Sequence, residues 1–172
     1  MDEQRKDFER VVWPHLCAAY NLARWLVRND HDAEDIVQDS FAKAFQAMGA
    51  LRSVDARPWL LTIVRNTAIN FIQRRKRAPE VTWTENAPEP RDHSPNPESG
   101  LIGKGRRERI RAAIEGLPDE YRETLVLREI EGLSYREIAT VLKVPVGTVM
   151  SRLSRARNLL LQELTPEIEA SL

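Results

Sequence analysis

Apolar residues along this chain return at intervals of three and four, and nowhere over a useful length at intervals of two. The pattern therefore predicts helices and no sheet. In the first part, Phe8, Val11, Val12, Leu16, Ala19, Tyr20, Ala23 and Val27 mark an opening helix. Pro14 lies inside it, and a proline there lacks an N–H and crowds the preceding turn, so the helix must kink or break at that point. A second helix is expected from about Asp32 to Met48 and a third from about Asp55 to Arg77, with Pro58 in a first turn that tolerates its missing N–H. In the last part the spacing predicts helices near Leu101 to Glu115, Pro118 to Ile130, Ser134 to Leu142 and Val146 to Leu164. Between these parts the periodicity stops. Residues 78–100, APEVTWTENAPEPRDHSPNPESG, hold five of the ten prolines, five acids and one basic residue. That composition predicts an extended linker with no core of its own. The fold class is all-α: two small helical domains, residues 1–77 and 101–172, joined by a proline-rich extended linker over 78–100.

Composition narrows the function mostly by exclusion. The 172 residues carry 26 basic and 26 acidic side chains, so no net field draws the molecule onto nucleic acid or an anionic membrane, and any such affinity must come from local patches. Cys17 is the single cysteine and is accompanied by three histidines, His15, His31 and His93. No internal disulfide is possible, and no metal or cofactor is expected. His15 and Cys17, two apart, point to different sides of a helix and are read as structural. The opening MDEQRKDFER is too polar for a signal peptide, and no run nears the roughly 18 apolar residues of a membrane span. The chain reads as soluble and cytoplasmic.

The segment LSYREIATVLKVPVGTVMSRLSRAR has the ingredients of two short helices joined tightly. Ser134 followed by Glu137 is a capping-box spacing, in which hydroxyl and carboxylate satisfy backbone donors at a helix start. Ile138, Val141 and Leu142 give that helix a buried stripe. Val144, preceding Pro145, is biased away from helical geometry and ends it. On the next helix, Val149, Leu153, Ala156 and Leu160 fall within about 60° of one another and face a core. Thr148, Ser151, Arg152 and Arg155 fall on the opposite side. Short hydroxyls admit close approach to a groove, and arginine forks onto guanine O6 and N7 or onto phosphate. No acid occurs from Thr148 to Gln162. The rival reading is a solvated basic surface helix. The capped preceding helix and the absence of local acidic partners favour DNA.

The first part carries a contrast of charge. Five acids lie between Asp30 and Asp39 with no Lys or Arg among them. Those in a first turn suit the helix dipole. The helical wheel nevertheless sets Asp35, Gln38, Asp39, Ala42 and Gln46 on one face, opposite Ala33, Val37, Phe41, Ala44 and Met48. A flat acidic face with a small residue at its centre suits docking against a basic helix, although solvated surface remains the alternative. The third helix ends in the opposite sense. RNTAINFIQRRKR holds Arg65, Asn66, Asn70, Gln73, Arg74, Arg75, Lys76 and Arg77 and no acid. The dipole accounts for basic residues in a last turn but not for the interleaved amides, Phe71 and the upstream Trp59. Stacking side chains among cations and amides suit single-stranded or partly melted nucleic acid.

Together these residues resemble the sigma-70 family of bacterial RNA polymerase sigma factors, specifically its extracytoplasmic-function (ECF) branch. DAEDIVQDSFAKAF is similar to the family's region 2.2, RPWLLTIVRNTAINFIQRRKR to regions 2.3 and 2.4, and LPDEYRETLVLREIEGLSYREIATVLKVPVGTVMSRLSRAR to region 4. The resemblance implies that Asp35, Gln38 and Asp39 contact core polymerase, region 2.2 meeting the β′ coiled coil and the β flap being a further expected contact. It implies that Trp59, Arg65, Asn66, Asn70, Arg74, Arg75 and Arg77 serve the downstream promoter element. Arg128, Thr148, Ser151, Arg152 and Arg155 are then expected at the upstream element. Met150 stands where many members have a basic residue, and GALRSVDARPWL corresponds to the segment that holds a flipped promoter base. An anti-sigma factor that clamps both domains is a further expected partner. The linker of 23 residues spans at most about 75–80 Å fully stretched, ample for two domains on separated promoter elements. The alternatives are a stand-alone helix-turn-helix regulator, which needs no acidic docking face, and a recombinase. The latter requires a catalytic set that the first part does not offer, so the chain is not expected to be an enzyme.

Overall fold

The computed structural model describes residues 2–51, 55–78 and 101–170. The linker expected over 78–100 lies outside these apart from Ala78, as do positions 52–54 of the loop expected to hold a flipped base. The described residues form helices and turns with no strand.

The opening helix breaks where Pro14 stands. Helix α1 (Asp2–Val11) passes through a single 3-10 turn, Trp13–His15, into α2 (Leu16–Val27). The turn shifts the helical phase. Phe8, Val12, Ala19, Leu22 and Ala23 are buried, whereas Leu16, expected inside on a continuous wheel, is exposed, and Trp13 is 55% exposed. Cys17 also lies at the surface.

Arg28 ends α2 in the left-handed region, φ 58°. Asn29 then caps α3 (Asp30–Gln46), its side-chain oxygen accepting from the Asp32 N–H at 2.9 Å. Asp55 caps α4 (Ala56–Arg77) by accepting from the Arg57 N–H at 3.0 Å. Each cap satisfies a donor that the first helical turn leaves without a partner. The three helices pack through Leu22, Ile36, Leu60, Leu61 and Val64. Each such buried aliphatic side chain contributes about 1.5–3 kcal/mol of transfer free energy. Phe8 sits edge-on to Phe41 at 5.9 Å and to Phe45 at 5.4 Å, closing α1 over α3.

In the second half, α5 (Leu101–Glu115) leads to α6 (Asp119–Leu125), which loosens into a π-helical turn over Val126–Ile130. The capping box forms as its spacing predicts. The Glu137 N–H donates to Ser134 Oγ at 3.2 Å and the Ser134 N–H to Glu137 Oε2 at 2.6 Å, starting α7 (Tyr135–Leu142). Lys143, at φ 55°, turns the chain into α8 (Val146–Ala170), which continues past the predicted end at Leu164. Val149, Leu153 and Ala156 are buried under α8. One apolar core runs through both halves, joining Leu60 and Val64 to Leu127, Ile138, Val141 and Leu153.

Candidate nucleic-acid interface

The wheel drawn for α3 matches its burial. Ala33, Val37, Phe41 and Ala44 are inside, and Asp35, Gln38, Asp39, Ala42 and Gln46 outside. Ile36 and Ser40 are buried as well, the Ser40 hydroxyl donating to the Ile36 carbonyl at 2.6 Å. The acidic face does not stand alone. Asp35 and Asp39 form one side of a cleft of about 190 Å³ whose other side is Thr67, Asn70, Phe71 and Arg74 of α4. Lys43 Nζ bridges the two helices, 2.7 Å from Asp39 and 3.3 Å from Thr67 Oγ1. The residues expected to face polymerase and those expected to face downstream DNA therefore line adjacent walls.

Helix α4 divides its predicted residues into two groups. Asn70, Arg74, Arg75 and Arg77 are exposed at its C-terminal end, where Arg75 pairs with Asp32 at 2.6 Å. Trp59, Arg65 and Asn66 are half-buried. Trp59 packs on the core. Arg65 turns toward the second half, with Nε 2.8 Å from Glu123 Oε2 and Nη2 3.0 Å from Glu123 Oε1.

On α8, Thr148 is half-buried and Ser151 and Arg155 are exposed. Ser151 Oγ donates to its own helix at the Thr148 carbonyl, 3.0 Å. Arg152 leans on α6, 3.2 Å from Glu120 Oε2 and 4.0 Å from Glu123 Oε1. Arg155 donates to the Tyr121 hydroxyl at 3.3 Å, and Arg157 meets Glu129 at 2.6 Å. These bonds push both guanidinium groups above the ordinary arginine value, so each stays cationic. The acidic partners missing from Thr148 to Gln162 are thus supplied by α6 and the π turn. Arg128 is also engaged, donating to the Leu133 carbonyl at 2.8 Å with its guanidinium 5.0 Å from the Tyr135 ring centre. Met150 is 53% exposed.

Three residues outside the predicted set shape this surface. Arg122, 2% exposed, donates to the Glu115, Leu117 and Trp25 carbonyls at 3.3, 2.8 and 3.1 Å. Its spacing of three and four from Leu125 and Val126 puts it on their buried stripe, a signal legible in the chain. Glu123, next to Arg122 in the chain, is buried as well. Glu131 is buried and accepts from Asn21 Nδ2 at 3.2 Å. Burial pushes its carboxyl above the usual range, opposed by the Asn21 hydrogen bond and by Arg57.

Among the described residues no group of three or more His, Cys, Asp or Glu side chains is disposed to hold a metal ion. No described helix is long and apolar enough to cross a membrane.

Comparison with known proteins agrees with this layout. The model of sigma-70 region 2 matches residues 14–78, and that of sigma-70 region 4 matches residues 107–160. The RNA polymerase sigma-H factor of Pseudomonas aeruginosa is 35% identical over 170 residues, covering 94% of this chain and 88% of that protein. The ECF RNA polymerase sigma-E factor of Escherichia coli K12 is 36% identical over 146 residues, covering 80% and 76%. Among solved structures, the sigma factor RpoE of Bartonella quintana, in complex with the anti-sigma factor NepR, aligns over 93% of this chain and 98% of its own, with a TM-score of 0.73 and 28% identity. CnrH, in complex with the cytosolic domain of CnrY, aligns over 94% and 90%, with a TM-score of 0.67 and 25% identity. With both regions matched in order and relatives similar over most of their length, this chain belongs to the sigma-70 family of RNA polymerase sigma factors, in its extracytoplasmic-function branch.

Proposed function

We propose that this sigma factor divides its work between a polymerase-docking and DNA-melting domain, residues 1–77, and an upstream-element reader, residues 101–172, tethered by residues 78–100. The observation that carries the division is the exposed acidic face of α3, Asp35, Gln38 and Asp39, set beside the exposed cations of α4. The acids meet a basic helix of core polymerase, the β′ coiled coil. Asn70, Arg74, Arg75 and Arg77, with Trp59, Arg65 and Asn66, receive the opened downstream strand. Thr148, Ser151, Arg152 and Arg155, supported by Arg128, enter the groove of the upstream element, and this domain also meets the β flap. The chain performs no covalent chemistry of its own in this reading and works in the cytoplasm with polymerase. An anti-sigma factor is its natural antagonist, by analogy with the solved RpoE, held in complex with the anti-sigma factor NepR.

Run-off transcription with core polymerase tests the division. Asp35→Arg reverses a charge at the docking face and is expected to weaken polymerase association by roughly tenfold or more. Arg155→Ala is expected to keep that association and lose promoter choice, at about 1–3 kcal/mol for a base contact. Equal loss of association in both variants overturns the assignment. Failure of the parent chain to co-elute with core polymerase would favour a stand-alone regulator.

A further inference from the structure

We propose that Met150 is a specificity-determining residue of the reading helix, an apolar side chain that selects a thymine in the upstream element by contact with its 5-methyl group. This inference rests on the upstream-element reading proposed above and adds a base preference to it. Residues near the start of the second helix of a helix-turn-helix meet base edges in the major groove. Met150 lies in the second turn of α8 and is 53% exposed, and Val146, one turn earlier on the same row, is 37% exposed. A single exposed methionine calls for no explanation. Two apolar side chains four positions apart, however, are neighbours on one side of a helix, and this pair runs beside the exposed polar row of Ser151 and Arg155. The core beneath α8 is made by other residues, Val149, Leu153 and Ala156.

The surroundings of Met150 let it reach a base. The surface beside it is low. A Cβ placed on the exposed Gly147 would meet no side chain beyond its chain neighbours within 4 Å, and the Ser151 hydroxyl folds back onto the Thr148 carbonyl of its own helix at 3.0 Å. Ser154, the next residue on the row, is short and exposed. Met150 is thus the long side chain of its row, and its unbranched thioether adapts to the shape it meets. In the major groove thymine alone offers a methyl group, whereas adenine and cytosine offer amino donors. An apolar side chain laid over an amino donor strips it of water and leaves it without a partner. Laid over a methyl, it removes apolar surface from water at both groups. Arg155, on the adjacent row, has the opposite chemistry, a fork that fits guanine O6 and N7. The reading face therefore carries two different base readers side by side.

Holoenzyme assembled from the full chain and core polymerase tests this. Promoter duplexes with a randomised upstream element are selected for binding. Each thymine of the selected element, on either strand, is then replaced singly by deoxyuridine, which lacks only the 5-methyl group. One such replacement is expected to weaken binding of the parent holoenzyme by about fourfold, read by fluorescence anisotropy and equivalent to about 0.8 kcal/mol for one buried methyl-sized group. Met150→Ala is expected to bind the thymine and deoxyuridine duplexes equally while keeping the preferences at other positions, and Met150→Leu to retain the discrimination. Indifference of the parent to every deoxyuridine replacement, or selection of an element without thymine, overturns the proposal. So does a Met150→Ala holoenzyme that still senses the methyl. Weaker co-elution of Met150→Ala with core polymerase, with base selection intact, would mark a protein-docking patch and equally overturns it. The deoxyuridine arm uses the parent chain, so it decides even if a variant misfolds. A parent holoenzyme that selects no upstream sequence at all fails the upstream-element reading itself, which keeps the two failures distinguishable.

Discussion

The buried carboxylates show how much a single residue depends on what lies across the seam. Glu131 has its carboxyl raised by burial, with Asn21 and Arg57 opposing the shift. A carboxyl raised in the folded state contributes stability that is complete below its unfolded value and is lost as pH rises through the folded value. Glu131 should therefore favour the folded chain in acid and weaken it toward neutrality. Glu131→Gln keeps an acceptor for Asn21 and removes the charge. Thermal melts across that range are expected to show the variant more stable than the parent near neutral pH, with a flatter dependence on pH. A parent and variant of identical pH profile would show that the carboxyl does not titrate as its burial demands. Arg122 is the opposite case, a buried cation satisfied by three carbonyls and by Asp119.

At the scale of elements, the helix-turn-helix rests on its start. Ser134 and Glu137 close the box that begins α7, and the next turn of chain, through Lys143, aims α8. Ser134→Ala removes one side of the box and is expected to cost about 1 kcal/mol, within the usual range for an N-cap serine. Denaturant titration of the full chain measures this as a lower midpoint with an unchanged slope. Both the box and the two faces of α3 were legible from spacing alone, because a capping residue acts on donors three positions away and a helical face repeats within one element. The break at Pro14 was legible as a break. Its effect on Leu16 was not, because a single 3-10 turn rotates every later side chain by an amount the proline does not specify.

The whole molecule has no net charge, and several of its proposed DNA-contacting arginines are already paired to its own acids. Neutralising phosphates supplies most of the affinity for duplex DNA, and it needs free cations. The free chain is accordingly expected to bind promoter duplex weakly, with core polymerase holding both domains at the promoter and raising the effective concentration of the second contact. Nanomolar binding by the free chain at physiological salt, measured by fluorescence anisotropy, would contradict this.

What the chain determined by itself was local: seven helices' approximate places, the proline-rich break between halves, the acidic face of α3, the basic end of α4 and the capped helix that precedes the reading helix. Helical periodicity, caps and composition act over a few residues, so they are visible in a line of letters. The partners of those residues were decided only in three dimensions. No acid lies from Thr148 to Gln162 to answer the arginines there, yet Glu120 and Glu123, some thirty positions earlier, lie against Arg152, and Arg65 crosses from the first half to the same Glu123. Ion pairs across a tertiary seam depend on distance in space, which sequence separation does not encode.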